Sequence, residues 1–255
     1  MDWSYYYKVI RSVADRYFLL AGFAFILFYV ILSKWVKHKK IQAKYPKASD
    51  YFREVFYSIL TIAIFALVPL FLIHDEKVQP YTTYYKNISD HGWWYFGFAF
   101  IIMLFLHDTY FYWIHRLMHH PSIFRFVHLV HHKSTNPSPW AAYAMHPFEA
   151  ILEAGIVVIF LFTIPVHLFH LSFFFLFMIV YNVYGHLGWE LYPKGFSKHW
   201  LGKWINTSVN HNQHHQLFKG NYGLYFLFWD RIMGTIREDY DQRYDQVLSQ
   251  QPEGK

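Results

Sequence analysis

Three histidine groups carry the chemical possibilities of this chain: His115 with His119, His128 with His131 and His132, and His211 with His214 and His215. On a helix, residues four apart lie roughly 40° apart and residues three apart roughly 60°, so each group turns its imidazoles toward one side of its own helix. Each group is then a metal claw. Eight neutral imidazoles exceed what one ion accepts, since tetrahedral zinc takes four ligands and an octahedral ion about six. The pattern predicts two metals in one shared site. Removing hydrogen from an unactivated C–H bond lies beyond side-chain acids and bases, whereas imidazole-bound iron with dioxygen is suited to it. Zinc fits the same nitrogen-rich ligands and is expected to replace iron in some isolated samples.

Composition narrows the alternatives. Cysteine is absent, which removes disulfides, iron–sulfur clusters and thiolate zinc sites, and leaves the 18 histidines as the main nitrogen ligands. Only 16% of residues are charged and 55% are apolar, the balance of a membrane protein. The net charge of +6 comes largely from basic residues between Lys34 and Arg53, beside an apolar run, where anionic lipid rather than nucleic acid is the natural counter-charge. A haem electron carrier would place histidine pairs face to face across helices. A membrane metal-binding or transport protein would carry acidic and histidine residues within its spans. No His-Glu-x-x-His occurs, which argues against a metalloprotease.

The elements that must position these histidines read as helices. Tyr17 to Leu32 is uncharged and is followed by Lys34, Lys37, Lys39 and Lys40, a first span with a basic cytosolic flank. Val55 to Ile73 is the second. Gly92 begins a third helix, with Trp93 and Trp94 at an interface, that leaves the membrane carrying His107, His115 and His119 and stops at Pro121. Ala154 to Tyr184 holds no charged residue, and is too long for one crossing and too short for two full ones. Because all boxes must share one side of the membrane, it is expected to be a hairpin turning between Pro165 and His170. The fold expected is an all-α integral membrane protein of about four transmembrane helices with a histidine-rich helical cap. Residues 1–236 form one domain, with the histidine core at 92–235 and a fraying polar tail at 237–255.

The stretch His107-Asp108-Thr-Tyr-Phe-Tyr-Trp-Ile-His115-Arg116-Leu-Met-His119-His120, with His128-Leu-Val-His131-His132 and Asn210-His211-Asn-Gln-His214-His215, resembles the fatty acid hydroxylase and sterol desaturase superfamily. Asn221-Tyr222-Gly223 and Trp229-Asp230-Arg231 extend the likeness to about Thr235. Three residues within the first box set the chain apart from acyl-CoA desaturases, which usually have four. The resemblance implies a four-helix membrane anchor, a cytosolic histidine cap, a dimetal centre and an external electron donor. It also implies a further histidine ligand between the second and third boxes, a place that His186 fills. Where some members have another histidine four residues on, this chain has Glu190, a ligand or an acceptor behind one.

Other candidates lie near these. His107 is either turned toward the metals or hydrogen-bonded at the membrane interface, and His120 is a surface or supporting residue. His146 could orient a ligand with Glu149 as its partner, and Asp108 and Asp230 could orient imidazoles or form ordinary ion pairs. His167 and His170 read as interface residues, and the aromatics from Phe173 to Phe177 as lipid-facing or packing surface or a tunnel lining. The chemistry expected is O2-dependent hydroxylation or desaturation of a lipid. Without cysteines or a Gly-x-Gly-x-x-Gly loop, electrons must come from a cytochrome b5-like or ferredoxin-like partner. The metal face is expected to be cytosolic, in the endoplasmic reticulum or a bacterial inner membrane.

Overall fold

The computed structural model describes residues 2–250; the end of the expected polar tail, 251–255, lies outside them. Four helices are long and apolar enough to cross a membrane, Trp3–Ile31, Ala48–His74, Gly92–Met118 and Leu168–Gly185. The first, α1 (Trp3–Phe25), is capped by Asp2, whose carboxylate accepts from Tyr5 N at 3.0 Å, and continues as a π-helix over Ile26–Ile31. It starts well before Tyr17. Lys8, Arg11, Asp15 and Arg16 fall within it, so an uncharged-run criterion sees only its second half. α2 (Ala48–Pro69) likewise ends in a π-helix, Leu70–His74. α3 (Gly92–Met118) is the single long helix expected, and it carries His115 to its last turn.

The predicted hairpin is α6 (Pro147–Thr163) and α7 (Leu168–Gly185). Its turn comes earlier than expected because His170 already belongs to α7. His167 Nδ1 accepts from Phe169 N at 3.1 Å and His170 Nδ1 accepts from His167 N at 3.0 Å, which caps α7 from within. Their remaining N–H groups donate to Lys86 O and Phe96 O, both at 2.9 Å. Both histidines are therefore buried pins of the turn. A short parallel pair of strands, β1 (Tyr84–Tyr85) and β2 (Val166–His167), ties the turn to the loop between α2 and α3. The turn thus lies at the end of the bundle opposite the histidine boxes.

Between α3 and α6 run α4 (Pro121–Val127) and α5 (Leu129–His132); beyond α7 come α8 (Ser208–Leu217), α9 (Phe228–Ile232) and α10 (Tyr240–Leu248). Fraying past Arg237 is not what the fold shows as far as Leu248. Tyr240, Tyr244 and Val247, at i, i+4 and i+7, bury one face of α10 against Ile41, Val209 and Leu227. Its other face is polar, and that dominates the composition. Two apolar cores lie below, one around Tyr17, Tyr143 and Ile179 and one around Met103, Phe160 and Phe174. Trp93, Trp94, Phe98, Phe169 and Phe173 stay exposed, as lipid-facing residues must. The Phe173–Phe177 run divides accordingly, since Phe174 is fully buried and Phe175 faces an internal cavity.

Candidate metal centre

The nine predicted ligands collect at the head of the bundle in two sets. His115, His119, His128, His132 and His214 form one, and His131, His186, His211 and His215 the other; within each set, one ring nitrogen per residue lies within 4.8 Å of all its mates. Helix geometry explains the division. In a His-x-x-His-His box the first and last residues are four apart and share a face, while the middle one turns the other way by about 100° from the last. Hence His211 and His215 go to one set and His214 to the other. In the second box His128 and His132 pair while His131 crosses over.

Backbone carbonyls fix the orientation of five of the nine rings. His115 Nδ1–H donates to Tyr222 O at 2.8 Å, His186 to Asn182 O at 2.8 Å, His214 to Gly220 O at 2.7 Å, and His215 to Ser134 O at 3.0 Å. His131 Nδ1 makes a longer bond of 3.4 Å to Ala144 O. His128 Nδ1 donates to the Glu149 carboxylate at 2.7 Å, and both side chains are buried. A neutral imidazole carries one N–H, so each Nε2 turned inward is a bare lone pair. Burial favours that neutral form: it holds His186 down to about 4 and His128, His131, His132, His211, His214 and His215 well below the ordinary histidine range.

These lone pairs meet one another. His215 Nε2 lies 3.1 Å from His186 Nε2 and from His211 Nε2, and His186 Nε2 is 3.0 Å from His211 Nε2. In the other set His132 Nε2 is 3.1 Å from both His128 Nε2 and His214 Nε2. Two lone pairs at this separation repel unless a cation lies between them. Metal–nitrogen bonds of about 2.1 Å place neighbouring ligands roughly 3.0 to 3.4 Å apart, the spacing seen here. The buried His119 Nε2 has no protein partner, as expected of an atom reserved for a metal. The donor set therefore fits two transition metals, with Nε2 ligation and carbonyl-held rings.

The remaining candidates stand behind or away from these sets. Glu190 is fully buried but accepts from Tyr184 Oη at 2.6 Å, Tyr192 N at 3.0 Å and Val209 N at 3.0 Å, so it anchors the start of α8. Asp108 accepts from Tyr225 N at 2.9 Å and Phe226 N at 3.1 Å, and Asp230 from Tyr222 N at 2.9 Å and Gly223 N at 2.7 Å. Together they hold the segment whose Tyr222 carbonyl orients His115. Gly223 is required there, since a Cβ would sit 2.3 Å from Phe226 O. Asn221 takes the left-handed φ of 58° before it. His146 is a correction: it caps α6 through Phe148 N at 3.3 Å, and Glu149 pairs with His128 instead. His120 is exposed and only caps α4. His107, bonded through Nδ1 to Tyr225 Oη at 3.0 Å, belongs to neither set.

One feature was foreseen only as a possible tunnel lining for the Phe173–Phe177 run, of which Phe175 takes part. A cavity of about 360 Å³ lies between α1, α2, α6 and α7. Its lining on α7 runs from Leu168 to Asn182, about 21 Å at 1.5 Å per residue. Its upper end is closed by Phe111, Met145, Asn182 and Leu224. Phe111 packs on the His115 ring at 4.9 Å, and the Asn182 carbonyl holds His186. Aliphatic and aromatic residues dominate its wall, but they come from six separate segments and leave no pattern in any one of them.

A paired histidine cluster above a lipid-sized apolar cavity defines a multi-pass membrane metalloprotein built for an apolar substrate. The fatty acid hydroxylase family matches residues 100–235, and the chain belongs to that family. It is an oxidoreductase that acts with dioxygen on a lipid. A Delta(7)-sterol 5(6)-desaturase of Gibberella zeae is 32% identical over 232 residues, which cover 86% of this chain and 68% of that protein. The lathosterol oxidase of Rattus norvegicus is 30% identical over 238 residues, 90% of this chain and 77% of that one. The lathosterol oxidase of Homo sapiens is 32% identical over 183 residues, 71% and 56% of the two chains. No solved structure matches.

Proposed function

We propose that the chain binds two iron ions, one in each histidine set, and desaturates a sterol held in the cavity. Support comes from the cavity itself, which ends at Phe111 and Asn182, directly against residues that hold or touch the ligands. The relatives named above are sterol desaturases and lathosterol oxidases, which favours loss of two hydrogens over retention of oxygen. The overall balance is one lipid, one dioxygen, two electrons and two protons giving the unsaturated lipid and two waters. Iron bound here supplies the dioxygen chemistry that side chains lack.

The protein's own part is positional. Burial keeps the imidazoles neutral and the carbonyls of Tyr222, Asn182, Ser134 and Gly220 aim them inward, while Phe111, Met145 and Leu224 keep the top of the cavity apolar. Electrons come from a separate cytochrome b5-like or ferredoxin-like protein, attracted by the basic loop that holds Lys34, Lys37 and Lys47. That loop lies at the box end of the bundle, which the positive-inside rule makes cytosolic. The host membrane is the endoplasmic reticulum or a bacterial inner membrane. The test is turnover: purified, iron-loaded protein in lipid nanodiscs, given lathosterol, oxygen and a reduced donor, should yield a product two mass units lighter. An unchanged sterol, with both metals bound and the donor reoxidised only at its background rate, would remove the reading.

A further inference from the structure

The cavity is largely apolar, and the ionisable groups in its wall differ in what they already bind. Arg16 donates to Ser12 Oγ at 2.9 Å, and Lys8 is exposed at the far end, two helical turns before Arg16. Two groups keep a polar atom free. Glu153 on α6 has no hydrogen bond or ion pair among the described residues, although it lines the cavity. His107 on α3 is almost fully buried and uses Nδ1 on Tyr225 Oη at 3.0 Å, which leaves Nε2 as its free polar atom.

The two groups lie at one level. Tyr110, one turn above His107, donates to the carbonyl of Leu152, the residue before Glu153. Glu153 also lies near enough to the Tyr110 and Tyr225 hydroxyls for its charge to act on both, and Tyr225 is the His107 partner. A carboxylate is an acceptor. With Tyr225 donating to Nδ1, His107 offers an N–H from Nε2. An acceptor and a donor at one level of a largely apolar tunnel fit a group that both gives and takes one hydrogen bond.

We propose that His107 and Glu153 form a hydroxyl-binding pair that holds the single polar group of a lipid alcohol in the cavity wall. The hydroxyl donates to the Glu153 carboxylate and accepts from His107 Nε2–H. His107 lies eight residues before His115, about 12 Å along the helix. The hydroxyl is thus held within one fused-ring length of the metal ligands, and the oxidised carbon lies on the ring system rather than at the end of a long chain. The assignment rests on the cavity being the substrate site, but not on desaturation being the reaction.

Equilibrium binding separates the two questions. The full-length, metal-loaded protein in nanodiscs is titrated with lathosterol and with its 3-deoxy counterpart, which keeps the apolar body and lacks the hydroxyl. The unaltered protein should bind lathosterol about three- to tenfold more tightly, the effect of one hydrogen bond to a buried carboxyl group. Glu153→Leu and His107→Phe should bring that ratio close to one while binding of the deoxy sterol and the metal content hold. Glu153→Gln, which keeps an acceptor, should give an intermediate ratio and guards against a fold defect in the leucine variant. Equal binding of the two lipids by the unaltered protein, or a full ratio retained in both Glu153→Leu and His107→Phe, overturns the pair. Discrimination without turnover would leave the pair standing and remove the desaturase reading.

Discussion

Glu149 offers the sharpest test of the two-set centre because it touches only one of them. Its Oε1 accepts the His128 Nδ1–H at 2.7 Å, with both side chains 2% exposed, and His128 belongs to the five-histidine set. A hydrogen bond to a charged acceptor contributes about 1.5 to 3 kcal/mol, and one to a neutral acceptor about 0.5 to 1.5. Glu149→Gln therefore loses about 1 kcal/mol of ring orientation, or roughly five- to tenfold in affinity at that set. Glu149→Leu removes the acceptor altogether and leaves a buried N–H unpaired, which should bring the loss to about 100-fold, the upper end for groups behind a ligand. Competition with a chelator, read by elemental analysis, resolves two affinities in the unaltered protein. In the variants only the weaker-held metal should be lost first, and the set of His131, His186, His211 and His215 should keep its own. Equal weakening of both sets, or tight binding of two metals by Glu149→Leu, would refute the division.

Single-ligand variants should follow the same map: His132→Ala and His214→Ala should retain one metal, held by the other set, and so should His211→Ala with the sets reversed, read as metal per chain. Metal-free protein should lose stability on acidification. A folded His186 held at about 4 stays unprotonated where the unfolded residue, near 6.5, takes up a proton. Between these values the unfolded state binds more protons, so stability falls by up to about 1.4 kcal/mol per pH unit for this residue alone as pH drops, measurable by chemical denaturation. Gly223→Ala should cost about 1 to 3 kcal/mol, because its Cβ meets Phe226 O at 2.3 Å and Asp230 Oδ2 at 3.0 Å, and a melting curve with metal analysis should show both stability and the His115 set reduced. Cysteines introduced at the exposed Lys44, Lys133 and Lys219 should label from one side of the membrane and one at His91 from the other; labelling of all four from one side would contradict the hairpin.

What the sequence could disclose depended on whether the information was local. The three boxes were legible because a helix converts spacing into direction, and the same angles also dictate the 2:1 division of each His-x-x-His-His box between metals. His186 stands alone in Tyr-Gly-His-Leu-Gly, and no spacing marks it; only the family likeness did. The groups that hold the rings are mostly carbonyls, of Tyr222, Ser134, Gly220 and Asn182, and a carbonyl has no identity in a sequence. The start of α1 was missed because Lys8 and Arg16 looked like solvent residues, whereas both line the cavity. That error and the poor legibility of the cavity share a cause. A charged residue inside a membrane helix is stable only where it faces something other than lipid, so the charges in the first half of α1 are the local trace of an internal space. The same logic applies to Glu153, the one carboxylate among the described residues that line that space. It sits two residues before Gly155, where Tyr110 comes so close that a Cβ would lie 2.2 Å from its hydroxyl. An acidic residue placed where two helices approach this closely faces neither lipid nor solvent, and the cavity is what it faces.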